Sequence, residues 1–250
     1  MYNFFVDETK INGGRVYIDG SDYNHIKNVL RMSKGDTFLV SSEGRSDLCE
    51  IESLDGGAVT ARIIEENYQN TELPVKIYLF EGLPKGDKME FIIQKAVELG
   101  VHTIVPTEMK HCVVKLDDKK KKSKHTRWQS IAESAAKQSK RNTIPVVHEV
   151  LSYKDALNLA SELDLLLVPY ENKNGMTDTV SALNKLCDCK SVGILIGPEG
   201  GFDQSEIEAA ITSGGLPISL GKRILRTETA AITAVSMCML SIEMNVGDAK

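Results

Sequence analysis

The stretch Leu195-Ile196-Gly197-Pro198-Glu199-Gly200-Gly201-Phe202 decides how the rest of the chain is read. It begins as the end of an apolar run, Val192 to Ile196, with the length and β-branched character of a buried strand. The glycines and the proline stop that strand, and Asp203 with Glu206 has the N-cap and N3 spacing that opens a helix. A glycine-rich turn between strand and helix lets a ligand approach the backbone closely and offers it unpaired N–H groups. No Gly-Lys-Ser/Thr follows, so this is not a P-loop, and the spacing is not the Gly-x-Gly-x-x-Gly of a dinucleotide fold. Taken alone, the turn is also readable as a tight structural one.

Further along, Leu220-Gly221-Lys222-Arg223-Ile224-Leu225-Arg226-Thr227-Glu228-Thr229-Ala230-Ala231 repeats the pattern: a strand end, a glycine, an irregular segment and a helix start. Two consecutive loops of this kind point to a pocket at the carboxyl edge of a sheet. The plainer reading of Arg226 and Glu228 is a surface ion pair with Thr227 as a cap.

Working outward, strand-like runs Val75 to Phe80, Thr103 to Pro106, Leu165 to Pro169, Val192 to Ile196 and Pro217 to Leu220 alternate with helical stretches. The helices fall near Asp87 to Leu99, Arg127 to Ser139, Ser152 to Leu163, Asp203 to Ser213 and Glu228 to Asn245. That alternation predicts an α/β fold, a parallel sheet covered by helices on both faces. Ser152 with Asp155 has cap spacing, and Gly100 and Gly214 sit where helices end. The first 66 residues or so differ: short strands Arg15 to Ile18, Thr37 to Ser41, Asp47 to Ser53 and Ala58 to Ile64, with hairpin chemistry at Leu54-Asp55-Gly56-Gly57 and one helix from Ser21 to Leu30. A small β-barrel is expected there, then a polar linker from Glu65 to Pro74, giving domains 1–70 and 71–250. The basic run Lys119 to Lys122, followed by Lys124, His125 and Arg127, reads either as a solvated loop or as a phosphate contact.

Composition sets bounds on these readings. With 42% hydrophobic and 26% charged residues the chain is an ordinary folded protein, and its net charge of -5 excludes an all-over basic surface while allowing a local one. No basic-then-apolar leader and no run of membrane-spanning length occurs, so a cytoplasmic protein without a membrane anchor is expected. Five cysteines without a C-x-x-C pair fit reduced structural thiols, Cys187 and Cys189 near a helix end, and no metal site is expected.

Gly-Pro-Glu-Gly-Gly at 197–201, followed by the 220–230 segment, resembles the paired signature of the RsmE family of 16S rRNA uracil-N3 methyltransferases, in the SPOUT superfamily. Further matches are His25 with Val29-Leu30-Arg31 and Gly35-Asp36, Lys85-Gly86-Asp87-Lys88-Met89, Gln94 to Val101, and Gln138-Ser139-Lys140-Arg141. Lys137 departs from the family, where an acidic residue is common at that place. The resemblance implies a PUA-like RNA-binding barrel followed by a SPOUT domain with a C-terminal trefoil knot, an exception to the rule that chains do not thread their own loops.

It further implies that S-adenosyl-L-methionine lies bent among three knot loops, which maps cofactor binding onto Pro169, Glu171, Ile196, Gly197, Gly200, Leu220, Gly221, Ile224, Leu225, Thr229 and Ala230. Arg226 is the expected stabiliser of charge on the uracil oxygens, and Glu199 or Glu228 the proton acceptor. RNA would be held by Arg15, His25, Arg31, Lys85, Lys88, Arg127 and Arg141. The implied substrate is 16S rRNA of the small ribosomal subunit, and the implied state a homodimer. A SPOUT methyltransferase acting on another RNA site is the alternative within the superfamily; a non-catalytic RNA-binding protein, or a nucleotide-binding enzyme such as a kinase, also accommodates parts of this pattern, but neither uses both pocket loops.

Overall fold

A computed structural model describes residues 1–170 and 175–246. The chain forms two compact units, Met1–Glu72 with Ala136–Ile144, and Leu73–Ala135 with Pro145–Lys250.

The first unit holds β1 (Asn3–Phe5), β2 (Ile11–Asn12), β3 (Arg15–Ile18), α1 (Gly20–Asn24), β4 (Thr37–Ser42), β5 (Arg45–Ser53) and β6 (Val59–Glu65). They form one sheet in the order β1-β4-β5-β6-β3-β2, antiparallel except where β1 joins β4. Alternation drives it: in β3, Val16 and Ile18 point inward while Arg15 and Tyr17 face water. Register shifts between Leu48/Cys49 and Ile51/Ser53 bend β5 against β6 and curl the sheet into a half-barrel around Phe4, Ile26, Phe38 and Ile51. Gly56 and Gly57, with φ of 64° and 83°, make the hairpin turn expected between β5 and β6. The helical stretch expected from Ser21 to Leu30 is present over Gly20–Val29, but its second half is a π-helix, His25–Val29, within which Ile26 is buried in the core.

Residues Ala136–Ile144 complete this unit. Arg141, only 3% exposed, donates from Nε to Glu72 Oε1 at 2.8 Å and forms a second bond to Oε2, while Asn142 donates its backbone N–H to the same carboxylate at 2.9 Å. Burial alone would raise the Glu72 carboxyl, but the hydrogen bonds and charge of Arg141 outweigh it and hold the group below its ordinary value.

The second unit contains β7 (Lys76–Gly82), α2 (Lys88–Glu98), β8 (Thr103–Glu108), α3 (Asp118–Ser139), β9 (Val146–Val147), β10 (Leu151–Ser152), α4 (Tyr153–Ala160), β11 (Leu165–Pro169), α5 (Thr177–Asn184), β12 (Ser191–Ile196), α6 (Gln204–Thr212), β13 (Leu216–Ile218) and α7 (Thr227–Val246). The last turn of α3 belongs to the first unit. Every pairing is parallel, in the order β10-β8-β7-β12-β11-β13, with β9 beside β8. The central strands are buried on both faces, as an apolar run such as Leu165 to Val168 requires.

The basic run is not a loop: Lys119 to Lys122 form the first turns of α3, where Lys120 N–H bonds Asp117 Oδ1 at 2.8 Å and Lys121 pairs with Glu108 at 2.9 Å. Asp203 and Glu206 form a complete capping box on α6, and Gly100 and Gly214 adopt φ of 92° and 91° past their helices. Cys187 and Cys189 are free thiols in and just after a 3-10 turn, Lys185–Asp188. Among the described residues no helix is long and apolar enough to cross a membrane, and no acidic, histidine or cysteine cluster could hold a metal.

Candidate active site

Strands β7, β12, β11 and β13 are neighbours, so the loops leaving the carboxyl ends of the last three converge. Between them lies a cavity of about 460 Å³. Pro169 and Tyr170 after β11, Ile196 to Glu199 with Gly201 and Phe202 after β12, and Ser219 to Thr227 with Ala230 after β13 line it, and Lys88 closes one side. The expected strand Pro217 to Leu220 stops at Ile218, which frees Ser219 and Leu220 for the wall. Backbone amides of Leu220, Ile224 and Leu225 make no hydrogen bond among the described residues, while the Leu225 and Ala230 side chains supply apolar surface.

Glycines permit this convergence. A Cβ on Gly82, the last residue of β7, would lie 2.7 Å from Pro198 N, so only glycine lets the post-β12 loop pass over the strand end. Gly200 is different from its expected role: a Cβ there would meet His111 Cβ at 2.9 Å, and Gly200 is not part of the cavity wall. It packs the loop against the segment after β8, where His111 Nδ1 lies 3.1 Å from Gly200 O.

Of the other residues assigned to cofactor binding, Pro169, Ile196, Gly197, Leu220, Gly221, Ile224, Leu225 and Ala230 line the cavity; Thr229 does not, and Glu171 lies outside the described residues. Arg226 lines it, with its side chain exposed at the start of α7. The surface pair with Glu228 is absent among the described residues, because Glu228 instead faces Lys88, whose Nζ lies 3.3 Å from Glu228 Oε2 and 3.0 Å from Glu199 Oε1. Hydrogen bonding to Glu199 is the main reason the Lys88 ammonium is held above its ordinary value. Burial pushes the Glu199 carboxyl up, but Lys85 N–H and Lys88 outweigh it and leave it lowered. Thr227 does not cap α7 with its side chain; its hydroxyl contacts Glu81 Oε1 at 2.7 Å and Gly197 O at 2.8 Å.

The RNA-assigned residues fall into two groups. Arg15, His25, Arg31 and Lys85 are exposed, although Arg15 pairs with Glu52 at 2.7 Å. Lys88 is committed to two carboxylates, Arg127 to Glu90 at 2.6 Å, and Arg141 is a buried strut whose guanidinium is spent on Glu72. Arg141 therefore corrects the expectation of a phosphate ligand. Sequence reading did not single out Phe202, Ser219 or Lys88 as parts of the cavity wall, nor Glu81, which lies behind the wall against Thr227; only the position of Glu81 at the end of an apolar strand run gave a usable signal.

Residues 71–239 match the model of an RNA methyltransferase domain and residues 18–64 that of an RNA methyltransferase PUA domain. The ribosomal RNA small subunit methyltransferase E of Bacillus subtilis is 41% identical over 255 residues, covering 99% of this chain and 100% of that protein. A methyltransferase structure from Legionella pneumophila, in complex with the bound cofactor SAM, superposes with a TM-score of 0.82 at 31% identity, covering 96% and 97% of the two chains. The ribosomal RNA small subunit methyltransferase E of Neisseria gonorrhoeae, bound to S-adenosyl methionine, gives 0.79 at 31% identity over 94% and 96%. With a curated relative above 40% identity end to end and an RNA methyltransferase model over most of its length, the chain belongs to the ribosomal RNA small subunit methyltransferase E family.

Proposed function

We propose that this protein methylates N3 of a uridine in 16S rRNA, using S-adenosyl-L-methionine held in the cavity at the carboxyl edge of the parallel sheet. S-adenosylmethionine-dependent rRNA methylation is the activity of the family. The observation that carries it is the convergence of three strand-end loops and the start of α7 on one cavity of about 460 Å³, within the range of small-molecule sites. The residues present fit the cofactor: unbonded amides at Leu220, Ile224 and Leu225 suit its polar edges, and Ile196, Leu225 and Ala230 suit a flat apolar ring. When bound, the cofactor supplies a methyl group on a positively charged sulfur.

The protein's own work is alignment and charge. In-line transfer requires the uracil nitrogen to be unpaired, set opposite the methyl and shielded from water. Arg226 reaches the cavity without a carboxylate partner among the described residues, so its guanidinium is available to developing charge on a uracil oxygen. Glu199 lines the cavity and takes hydrogen bonds from Lys85 N–H and Lys88 on one oxygen, Oε1, whereas Glu228 pairs with Lys88 but is not part of the cavity wall. Of the two candidate acceptors Glu199 is therefore the better placed, through its other oxygen. The sheet around the cavity is read as threaded into a trefoil knot, with α7 as the final helix.

The half-barrel, with exposed Arg15, His25 and Arg31, is read as the RNA-holding unit, and the small subunit in the cytoplasm as the setting. Exposed Leu240 and Met244 on α7 suit a homodimer. Mass spectrometry of 16S rRNA from a deletion strain, before and after treatment with purified protein, tests the whole reading. A single uridine gaining a methyl at N3 is the expected result; no added methyl sinks it, and a methyl on ribose or another base atom sinks the N3 assignment.

A further inference from the structure

Glu81, the penultimate residue of β7, has no exposed surface, and among the described residues its Oε2 has no hydrogen-bond partner. Its Oε1 lies 2.7 Å from Thr227 Oγ1, which in turn lies 2.8 Å from Gly197 O. Three oxygens thus make two short contacts. A threonine hydroxyl carries one proton, a peptide carbonyl carries none and an ionised carboxylate carries none. With Glu81 ionised, one contact would be between two acceptors. With Glu81 neutral, two protons serve two contacts: the carboxylic acid donates to Thr227 Oγ1, and Thr227 donates to Gly197 O.

We propose that Glu81 is a neutral carboxylic acid and a positioning residue: through Thr227 it ties the post-β12 loop at Gly197 to the start of α7, fixing the spacing of two walls of the cofactor pocket. The surroundings agree. Burial is the main cause that holds the Glu81 carboxyl well above its ordinary value, and the neighbouring carboxylates Glu199 and Glu228 add to it. Those two, with Lys88 bridging them from α2, are the charged groups that face it. Gly197 and Thr227 both line the cavity, so the tie acts on the wall rather than on the methyl or the base.

The proposal rests on the reading of the cavity as the S-adenosylmethionine site, and the test separates the two. Infrared spectra of the full chain at neutral pH should contain a carboxylic-acid C=O band that is absent in Glu81→Gln. Calorimetry with S-adenosylmethionine should show Glu81→Gln, whose amide N–H can donate to Thr227, within about threefold of wild type. Glu81→Met and Thr227→Val, similar in size but breaking the chain, should each lose about tenfold or more, as expected for a buried hydrogen bond. Absence of the acid band, or wild-type affinity in both chain-breaking variants, overturns the proposal. Should wild type itself fail to bind, the cavity reading falls; the tie is then judged by the infrared band and by whether Glu81→Gln unfolds at higher denaturant than Glu81→Met.

Discussion

Arg226 is where chemistry and sequence meet most directly, because the motif pointed to it and the structure leaves its guanidinium at the cavity without an acidic partner among the described residues. Arg226→Ala is expected to lower the single-turnover methylation rate by ~10²-fold or more while changing S-adenosylmethionine affinity little. Arg226→Lys keeps the charge but loses the planar fork, so most of the loss should persist; wild-type rates in both would remove Arg226 from the reaction. Glu81 carries a prediction of a different kind. Its native pKa lies above the unfolded value of 4.5. Below that pH both states are protonated and nothing is lost. Above it the unfolded chain has released a proton that the native state keeps, so this group's contribution falls as pH rises toward the native pKa. Melting temperatures should therefore decline more steeply above pH 4.5 for wild type than for Glu81→Gln, and parallel curves would show that Glu81 ionises normally. Nothing near Glu81 in sequence reveals this, since its partner Thr227 lies 146 residues away.

The elements were legible where local chemistry alone decides them. Ser152 caps α4 by accepting the Asp155 N–H at 3.2 Å, as the spacing indicated. Ser152→Ala should cost ~1 kcal/mol of stability in urea titration, with methylation unchanged, because α4 lies outside the cavity wall. Elements that depend on distant partners were not legible. β1 has three residues and β2 two, too few for a period to show, and β1 exists because β4 pairs with it 36 positions on, Asn3 beside Leu39. The first turns of α3 were hidden because a lysine run carries no apolar stripe; what supports them is the Asp117 side chain at the helix start and ion pairs from Lys121 to Glu108 and from Lys124 to Glu90. In the pocket the glycines were visible, yet their separate duties were not: Gly200 serves packing against His111, a fact that only the fold supplies.

At the scale of the molecule, the first unit is built from two pieces of chain, and Arg141 with Glu72 joins them. Arg141→Ala would leave a partly buried carboxylate with only the Asn142 and Thr143 N–H groups, so a loss of ~1–3 kcal/mol is expected in denaturant unfolding, against a small effect if the residue were a surface phosphate ligand. The Glu72 contribution is present above the unfolded value of 4.5 and is lost as pH falls through its lower native pKa, so acid unfolding of wild type should steepen below 4.5 in a way that Arg141→Ala does not. Expecting a boundary near residue 70 was reasonable from the polar linker, but no sequence pattern announces that a later segment returns to an earlier unit. That return also sets an order of events during synthesis. The Glu72 carboxylate leaves the translating ribosome 69 residues before the guanidinium that neutralises it. At roughly 5–20 residues per second the nascent half-barrel waits several seconds with its seam open, and in that interval it is an unfinished domain.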